Sequence, residues 1–283
     1  MTDPLRILVT AGTGQTGSRV AALVSAAGAH ARIAARHAPA PDAPGEYVRF
    51  DWHDPATYAR AVEGVDRMYL VPPPLDADPA PLVEALQKAA RAAGVRRAVL
   101  LNSSAFPASA RGLHRVRDVV REMPEWSVLL PTGFMENFIG AHPTAAGIRA
   151  TGEIVTSTGD GRMAFISAAD VAGAAAAVLL ADRPTNADHV LTGPEALGYA
   201  DAARAITAAT GRPVRHVPVP PDERRRAMAA AGVPAAFVET LLGADELVRR
   251  GAEDRVTGEV RDLTGRPPIA FEQFVGDHRA EWS

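Results

Sequence analysis

The feature that most restricts this chain is a junction near its start. A short apolar run, Leu5 to Thr10, stops on Gly12-Thr13-Gly14-Gln15-Thr16-Gly17, and Gln15 to Ala27 then carries small and apolar residues at helical spacing. A brief apolar run bounded by glycine reads as a buried strand, and Gly28 reads as the residue that stops the helix. The turn has the form G-x-G-x-x-G, which gains meaning only between a strand and a helix. In that setting the glycines allow a sharp turn and a close backbone approach to a pyrophosphate. The phosphates then meet unpaired N–H groups at the positive end of the helix. Gly12, Thr13, Gly14, Gln15, Thr16 and Gly17 are therefore the expected cofactor-phosphate residues. The alternative is a tight strand–helix turn that holds nothing.

The rest of the chain repeats the same rhythm. His30 to Ala35, Tyr47 to Phe50, Arg67 to Val71, Arg97 to Leu101 and Trp126 to Leu130 read as further strands. Between them lie helices opened at Asp54-Pro55, from Pro81 to Ala93, and from Leu113 to Met123. Asp54 reads as an N-cap with proline at the first helical position. Alternation at this spacing implies βαβ units, hence an α/β fold with a doubly wound parallel sheet. Beyond Pro131 the rhythm loosens. Short strands are expected at 154–156, 163–166, 188–191 and 214–217, and helices at 170–180, 199–210, 222–231, 235–250 and 269–282. This gives a dinucleotide-binding domain over 1–190, with part of 135–165 open to joining a smaller, mainly helical substrate lobe over 191–283.

Composition excludes several classes. Formal charge is −3, which gives no electrostatic case for nucleic acid or an anionic membrane. There is no cysteine, so disulfides, thiolate metal sites and cysteine nucleophiles are ruled out. No His/Asp/Glu spacing resembles a metal site, and no G-x-S-x-G elbow supports serine hydrolase chemistry. The longest apolar stretch, Val171 to Ala181, is too short to span a bilayer. Met1 to Arg6 has no signal-peptide layout. The expectation is a cytoplasmic protein acting on a small molecule, with a homodimer left open.

Four places beside the glycine turn bear on the cofactor. An NAD site wants an acid about twenty residues past the turn, to hold the ribose hydroxyls. This chain has Arg36-His37 there. An arginine suits a 2′-phosphate, so NADP(H) is expected in preference to NAD(H); the alternative is an exposed arginine at a strand end. Asp51 and Trp52 follow the third strand, within reach of an adenine, or Asp51 serves the turn into Asp54. Val71, Pro72 and Pro73 close the fourth strand at the edge where such sheets bind ligands, or form only a rigid loop. Asn102 and Ser103 follow the fifth strand.

At the level of whole segments the chain resembles the NmrA-like, atypical short-chain dehydrogenases, and among them the ergot-alkaloid dehydrogenase type. The residues that carry this are ILVTAGTGQTGSRV (7–20), RFDWHDPATY (49–58), MYLVPPP (68–74), VLLNSSAF (99–106), LLPTGFMENF (129–138) and FISAADVA (165–172). The family's loop has a glycine where Ala11 stands. The resemblance implies a nicotinamide-binding fold. It also implies one of three roles: reduction of iminium, enone or quinone substrates, a catalytically silent NADP-sensing regulator, or an enzyme using bound dinucleotide for a step such as dehydration.

Most catalytic short-chain dehydrogenases use a Tyr-x-x-x-Lys pair as proton donor. The sole lysine here is Lys88, and Glu84 occupies the position four residues before it. Any chemistry must therefore run without that acid. In this fold a catalytic serine follows the fifth strand, which brings in Ser103 and Ser104, although loop capping explains both equally well. His114 and Asp118 lie i,i+4 where the Tyr/Lys helix would be, so an imidazole backed by a carboxylate is one candidate relay. A solvated helix face is the other reading. Phe134, Met135 and Phe106 are candidate walls of an apolar substrate pocket, and Asn137 is a candidate hydrogen-bonding partner for cofactor or substrate. Core packing is the alternative for Met135.

Overall fold

The computed structural model describes residues 3–73, 75–76 and 78–282; Pro74, the third proline of the expected proline run, lies outside them. Along the chain the elements are β1 (Arg6–Thr10), α1 (Gln15–Ala26), β2 (His30–Ala35), β3 (Glu46–Arg49), α2 (Tyr58–Val62), β4 (Arg67–Leu70), α3 (Ala80–Ala92), β5 (Arg97–Leu101), α4 (Arg111–Arg121) and β6 (Glu125–Pro131). There follow α5 (Pro143–Thr151), β7 (Glu153–Thr156), β8 (Arg162–Met163), α6 (Ala168–Leu180), β9 (Ala187–Leu191), β10 (Leu197–Gly198) and α7 (Tyr199–Thr210). The chain ends with β11 (Arg215–Pro218), α8 (Pro221–Ala230), α9 (Ala235–Arg249), α10 (Glu259–Thr264) and α11 (Phe271–Asp277).

The main sheet has seven strands in the order β3-β2-β1-β4-β5-β6-β9, and β1 to β6 pair in parallel. The protein is an α/β, doubly wound Rossmann-like fold. Chain order reverses between β1 and β4, so the turn after β1 opens at the switch point of the sheet, where ligands bind in such folds. The central strands β1, β4 and β5 are mainly apolar because both faces are covered: Ile7, Leu8, Val9, Met68, Leu70, Val99 and Leu100 are fully buried.

The chain divides into two compact units that interleave in sequence. The first is Met1–Asn102, Arg111–Leu130 and Val171–His189; the second is Ser103–Ala110, Pro131–Asp170 and Val190–Ser283. The sequence reading set a boundary at 190/191 with part of 135–165 open to joining the lobe; the second unit takes in Pro131–Asp170 and also the loop after β5, Ser103–Ala110. In the first unit two arginines settle the end of α6. Arg97, 1% exposed, donates to Val178 O at 3.0 Å and Arg67 donates to Ala181 O at 3.0 Å. The last carbonyls of a helix have no partner of their own and carry its negative end, so cations suit them.

The second unit has an aromatic core. Phe138 meets Phe165 and Phe271 edge-on at centroid distances of 5.3 and 5.1 Å, and Trp282 Nε1 donates to Phe138 O at 2.8 Å. Two small sheets flank it, β8 with β10 antiparallel and β7 with β11 parallel. Two helices lie where none is expected from sequence, α5 and α10. The expected helix over 269–282 is α11 followed by a separate 3-10 turn, Arg279–Trp282. The expected strand over 163–166 shortens to β8 plus a single bridge from Phe134 to Ile166.

Candidate functional site

The glycine turn is held by its own backbone. Gly12 N donates to Ala34 O at 3.2 Å and Gly14 N to Ala11 O at 2.8 Å. Ala11 has φ +48°, a left-handed conformation that suits glycine better than alanine. The substitution of the family glycine is thus accommodated, at a cost of about 1–2 kcal/mol. Ala11→Gly is expected to raise unfolding free energy by about 0.5–1 kcal/mol once the extra chain entropy of glycine is subtracted. An unchanged or lower urea midpoint would show that the backbone there carries no strain.

The N-cap of α1 is Gly14. No side chain caps it, and no acid sits in the first turn. The N–H groups of that turn and the positive end of the helix dipole therefore have no capping side chain among the described residues, as an anion site requires. Thr10 Oγ1 ties this turn to the fourth strand, donating to Tyr69 O at 3.1 Å and accepting from Val71 N at 2.8 Å.

A cleft of about 600 Å³ opens beside the turn, and Thr13, Gly14, Arg36, Asp51, Val71 and Pro73 line it. Trp52 and Pro72 line it as well. Arg36 is exposed, and its guanidinium makes no ion pair with any described residue. Asp51 Oδ1 accepts from His53 N at 3.0 Å, so one carboxylate oxygen serves the turn. Trp52 is 8% exposed and gives its indole N–H to Val71 O at 3.1 Å. Phe50 packs on it at 5.1 Å, and Tyr58 OH donates to its carbonyl at 2.6 Å. Trp52 is thus a fixed wall whose polar atom is already used. A second hollow, about 430 Å³, lies against Gly12, Thr13, Ser18 and His37. Thr16 is buried under the turn, and Gln15 is exposed.

These residues fit a dinucleotide. The cradle is one that side chains would fill: a Cβ on Gly17 would sit 2.2 Å from Ala11 O, and one on Gly14 would lie 3.1 Å from it. When bound, the nicotinamide would supply the hydride; the residues that would hold the phosphates are those of the turn and the start of α1, and those that would seat the adenosine half line the cleft.

The sequence candidates farther along are distributed differently. Asn102 Nδ2 donates to Leu113 O at 3.1 Å, which fixes α4 against the end of β5. Ser103 Oγ accepts from Ala105 N at 3.1 Å, a local turn bond. Arg121 donates to Asp118 at 3.2 Å, and Arg117 donates to His114 Nδ1 at 2.6 Å. Each of the two candidates thus has an arginine of the same helix as a partner.

Met135 is fully buried in the aromatic core and is no pocket wall. Phe106, Phe134 and Asn137 are half-buried. Glu136, between the candidates, is 3% exposed and accepts from Ala168 N at 2.9 Å, capping α6.

Several polar residues of the second unit give no signal in sequence. His142 caps α5 by accepting from Thr144 N at 3.2 Å. Burial, with Arg224 nearby, holds its pKa below the usual imidazole value, which keeps the ring neutral as an acceptor must be. His216 pairs with Thr156 Oγ1 at 2.8 Å, and burial lowers its pKa too. Ser104 Oγ donates to Glu253 Oε2 at 2.6 Å. Among the described residues no group of three or more His, Asp or Glu could hold a metal, and no helix is long and apolar enough to cross a membrane.

Residues 4–256 match the model of the NmrA-like family. The chain belongs to that family. It is 40% identical over 277 residues to an uncharacterized oxidoreductase, YesF, of Bacillus subtilis, covering 98% of this chain and 96% of that protein. It is 36% identical over 289 residues to agroclavine dehydrogenase of Claviceps fusiformis, covering 98% and 99%. Among solved structures, the NADPH-dependent quinone oxidoreductase QOR2 of Escherichia coli, complexed with NADPH, superposes with a TM-score of 0.83 at 21% identity, covering 96% and 99%. That last likeness shows the shared Rossmann-like fold of the NmrA-like chain. The relatives named here are oxidoreductases, and the solved neighbour binds a nicotinamide dinucleotide.

Proposed function

We propose that this NmrA-like chain is an NAD(P)H-dependent reductase of a small molecule of the iminium, enone or quinone type. The observation that carries the reading is the cleft after β1. It joins a helix start that no side chain caps to an arginine with no ion pair among the described residues, and the turn is built on glycines packed too closely on the backbone for side chains. The kinship with agroclavine dehydrogenase and with YesF, both oxidoreductases by name, supports a redox role over a silent sensor. The usual acid is missing. Lys88 is exposed on α3, and Glu84 pairs with Arg115 at 3.4 Å. The reading is tested by NADPH oxidation against a panel of imines, enones and quinones. If no member of the panel oxidises NADPH, the reductase reading fails.

The cofactor preference rests on Arg36. NADPH is expected to bind more tightly than NADH. Arg36→Ala removes a charge-assisted contact worth about 1.5–3 kcal/mol, roughly ten- to a hundredfold in affinity for NADPH. NADH affinity should be nearly unaffected. Titrations with both cofactors decide it: equal affinities before and after substitution leave Arg36 as a surface residue only.

A further inference from the structure

A third hollow of the first unit lies where β1, β2 and β3 begin, the edge of the sheet opposite the glycine turn. Its volume is about 490 Å³, a size that suits a small molecule. Arg6, Ser25, His30, Arg32, Pro44 and Glu46 line it, and none of them lines the cleft of about 600 Å³. Arg6 stands opposite His30 in the register of β1 with β2, and Arg32 opposite Glu46 in that of β2 with β3. His30 and Arg32 are two apart on one strand, so the four side chains share one face of the sheet.

The charges on this face are unequally spent. Arg32 pairs with Glu46 at 3.3 Å and donates to Ala61 O at 3.4 Å and to Glu63 O, past the end of α2. Arg6 donates its backbone N–H to Asp66 at 2.8 Å, but its guanidinium makes no ion pair with any described residue. The His30 ring has no hydrogen-bond partner among the described residues, and both side chains are exposed. The arginine is charged at every working pH, and an imidazole carries at least one N–H. Arg32 and Glu46 cancel, so a net positive charge is left beside Arg6. Helix α1 ends here, and its negative end is answered: Ala27, Gly28 and Ala29 N donate to Leu23, Ser25 and Val24 O at 3.2, 3.0 and 3.0 Å. Ser25 Oγ donates to Pro44 O at 3.1 Å, which ties α1 to the loop before β3.

We propose that this hollow binds a small organic acid, whose carboxylate or phosphoryl oxygens accept from the Arg6 guanidinium and the His30 ring. Neighbouring strands lie roughly 4.8 Å apart, so both donors can reach one anionic group. The guanidinium fork fits either oxyanion in a bidentate manner, and charge-assisted bonds outweigh neutral ones. Ala29 and Ala31, both buried, and Pro44 back the rest of the molecule. The site is independent of the dinucleotide cleft and of the reductase reading.

The test titrates butyrate, inorganic phosphate and butyramide, a neutral control, into the full-length protein at constant pH and ionic strength. The readout is the imidazole NMR signal of His30, identified by its loss in His30→Gln, because it reports this hollow and not the glycine turn. Butyrate, phosphate or both should move that signal with a dissociation constant on the order of 1 mM, and butyramide should not. The tighter of the two binders tells a carboxylate ligand from a phosphoryl one. Arg6→Gln should weaken binding at least about tenfold, and Arg6→Lys should keep part of it. Arg36→Ala, in the other cleft, should leave it unchanged. Arg6 is exposed and its guanidinium has no ion pair among the described residues, so these variants should fold. Three outcomes overturn the proposal: neither anion moves the His30 signal, butyramide moves it equally, or Arg6→Gln leaves the affinity as it was.

Discussion

Gly17→Ala is expected to abolish dinucleotide binding and to lower unfolding free energy by about 2–3 kcal/mol. The added Cβ would lie 2.2 Å from Ala11 O, 2.8 Å from Ala11 C and 3.0 Å from Gly12 Cα. All three are backbone atoms, so no side chain can swing away. Relief requires α1 to back off from the turn, and that movement withdraws the helix end from the phosphates it would hold. Gly12 is closed in as well, with Ile33 Cγ2 at 2.7 Å and Val9 O at 2.9 Å from its Cβ position. Gly14 differs: its nearest atom is 3.1 Å away, so a side chain there would chiefly obstruct the ligand. The two positions should therefore separate in experiment. Gly17→Ala should lose both stability and NADPH affinity, whereas Gly14→Val should lose mainly affinity. Trp52, in the wall of the cleft, provides the fluorescence signal for titration, and urea unfolding gives the stability. NADPH binding by Gly17→Ala within twofold of the parent, at an unshifted midpoint, would remove the helix start from the binding site.

This division shows what the sequence could convey. The central strands β1, β4 and β5 were legible because each is a short, mainly apolar run in a sheet covered on both faces, while β3 was found only from its place in the strand–helix rhythm. The Asp54-Pro55 helix start was legible because its signal is local: Asp54 accepts from Ala56 N at 3.3 Å. That Arg36, Asp51 and Pro72 line one cleft was legible for the same reason, since each lies within two residues of a strand end. Helix α5 was hidden because its cap is a histidine held neutral by burial, where a serine or aspartate would announce a start. Met135 misled because a methionine after a strand looks alike whether it walls a pocket or fills a core. The His114–Asp118 spacing was read correctly as one helix face, but the choice among competing arginines depends on side-chain geometry. Glu253 gave no signal at all, because its partner is 149 residues away and only the fold joins them.

An iminium substrate is expected to show a kcat about 10²- to 10⁴-fold above that of a ketone of matched shape, the range that a general acid contributes when present. Hydride addition to an iminium carbon leaves a neutral amine, and no proton has to arrive in that step. Addition to a ketone leaves an alkoxide, which the missing Tyr-x-x-x-Lys pair would ordinarily protonate. His114 is a poor replacement, with Nδ1 engaged by Arg117 at 2.6 Å. Ser104 is no replacement, because its proton is directed at Glu253. Positioning of the reactants then carries the rate, an effect that reaches about 7 kcal/mol or more in favourable cases. Lys88→Ala should leave both substrates unaffected, since Lys88 is exposed on α3. His114→Ala should leave iminium turnover intact. The comparison must be made in kcat at saturating substrate, so that differences in substrate binding do not enter the ratio. A ketone turned over as fast as the iminium, and still so in His114→Ala, would mean that a proton donor exists outside both candidate groups. The half-buried Tyr199 hydroxyl, whose pKa burial pushes up so that it stays protonated, would then be the first residue to substitute.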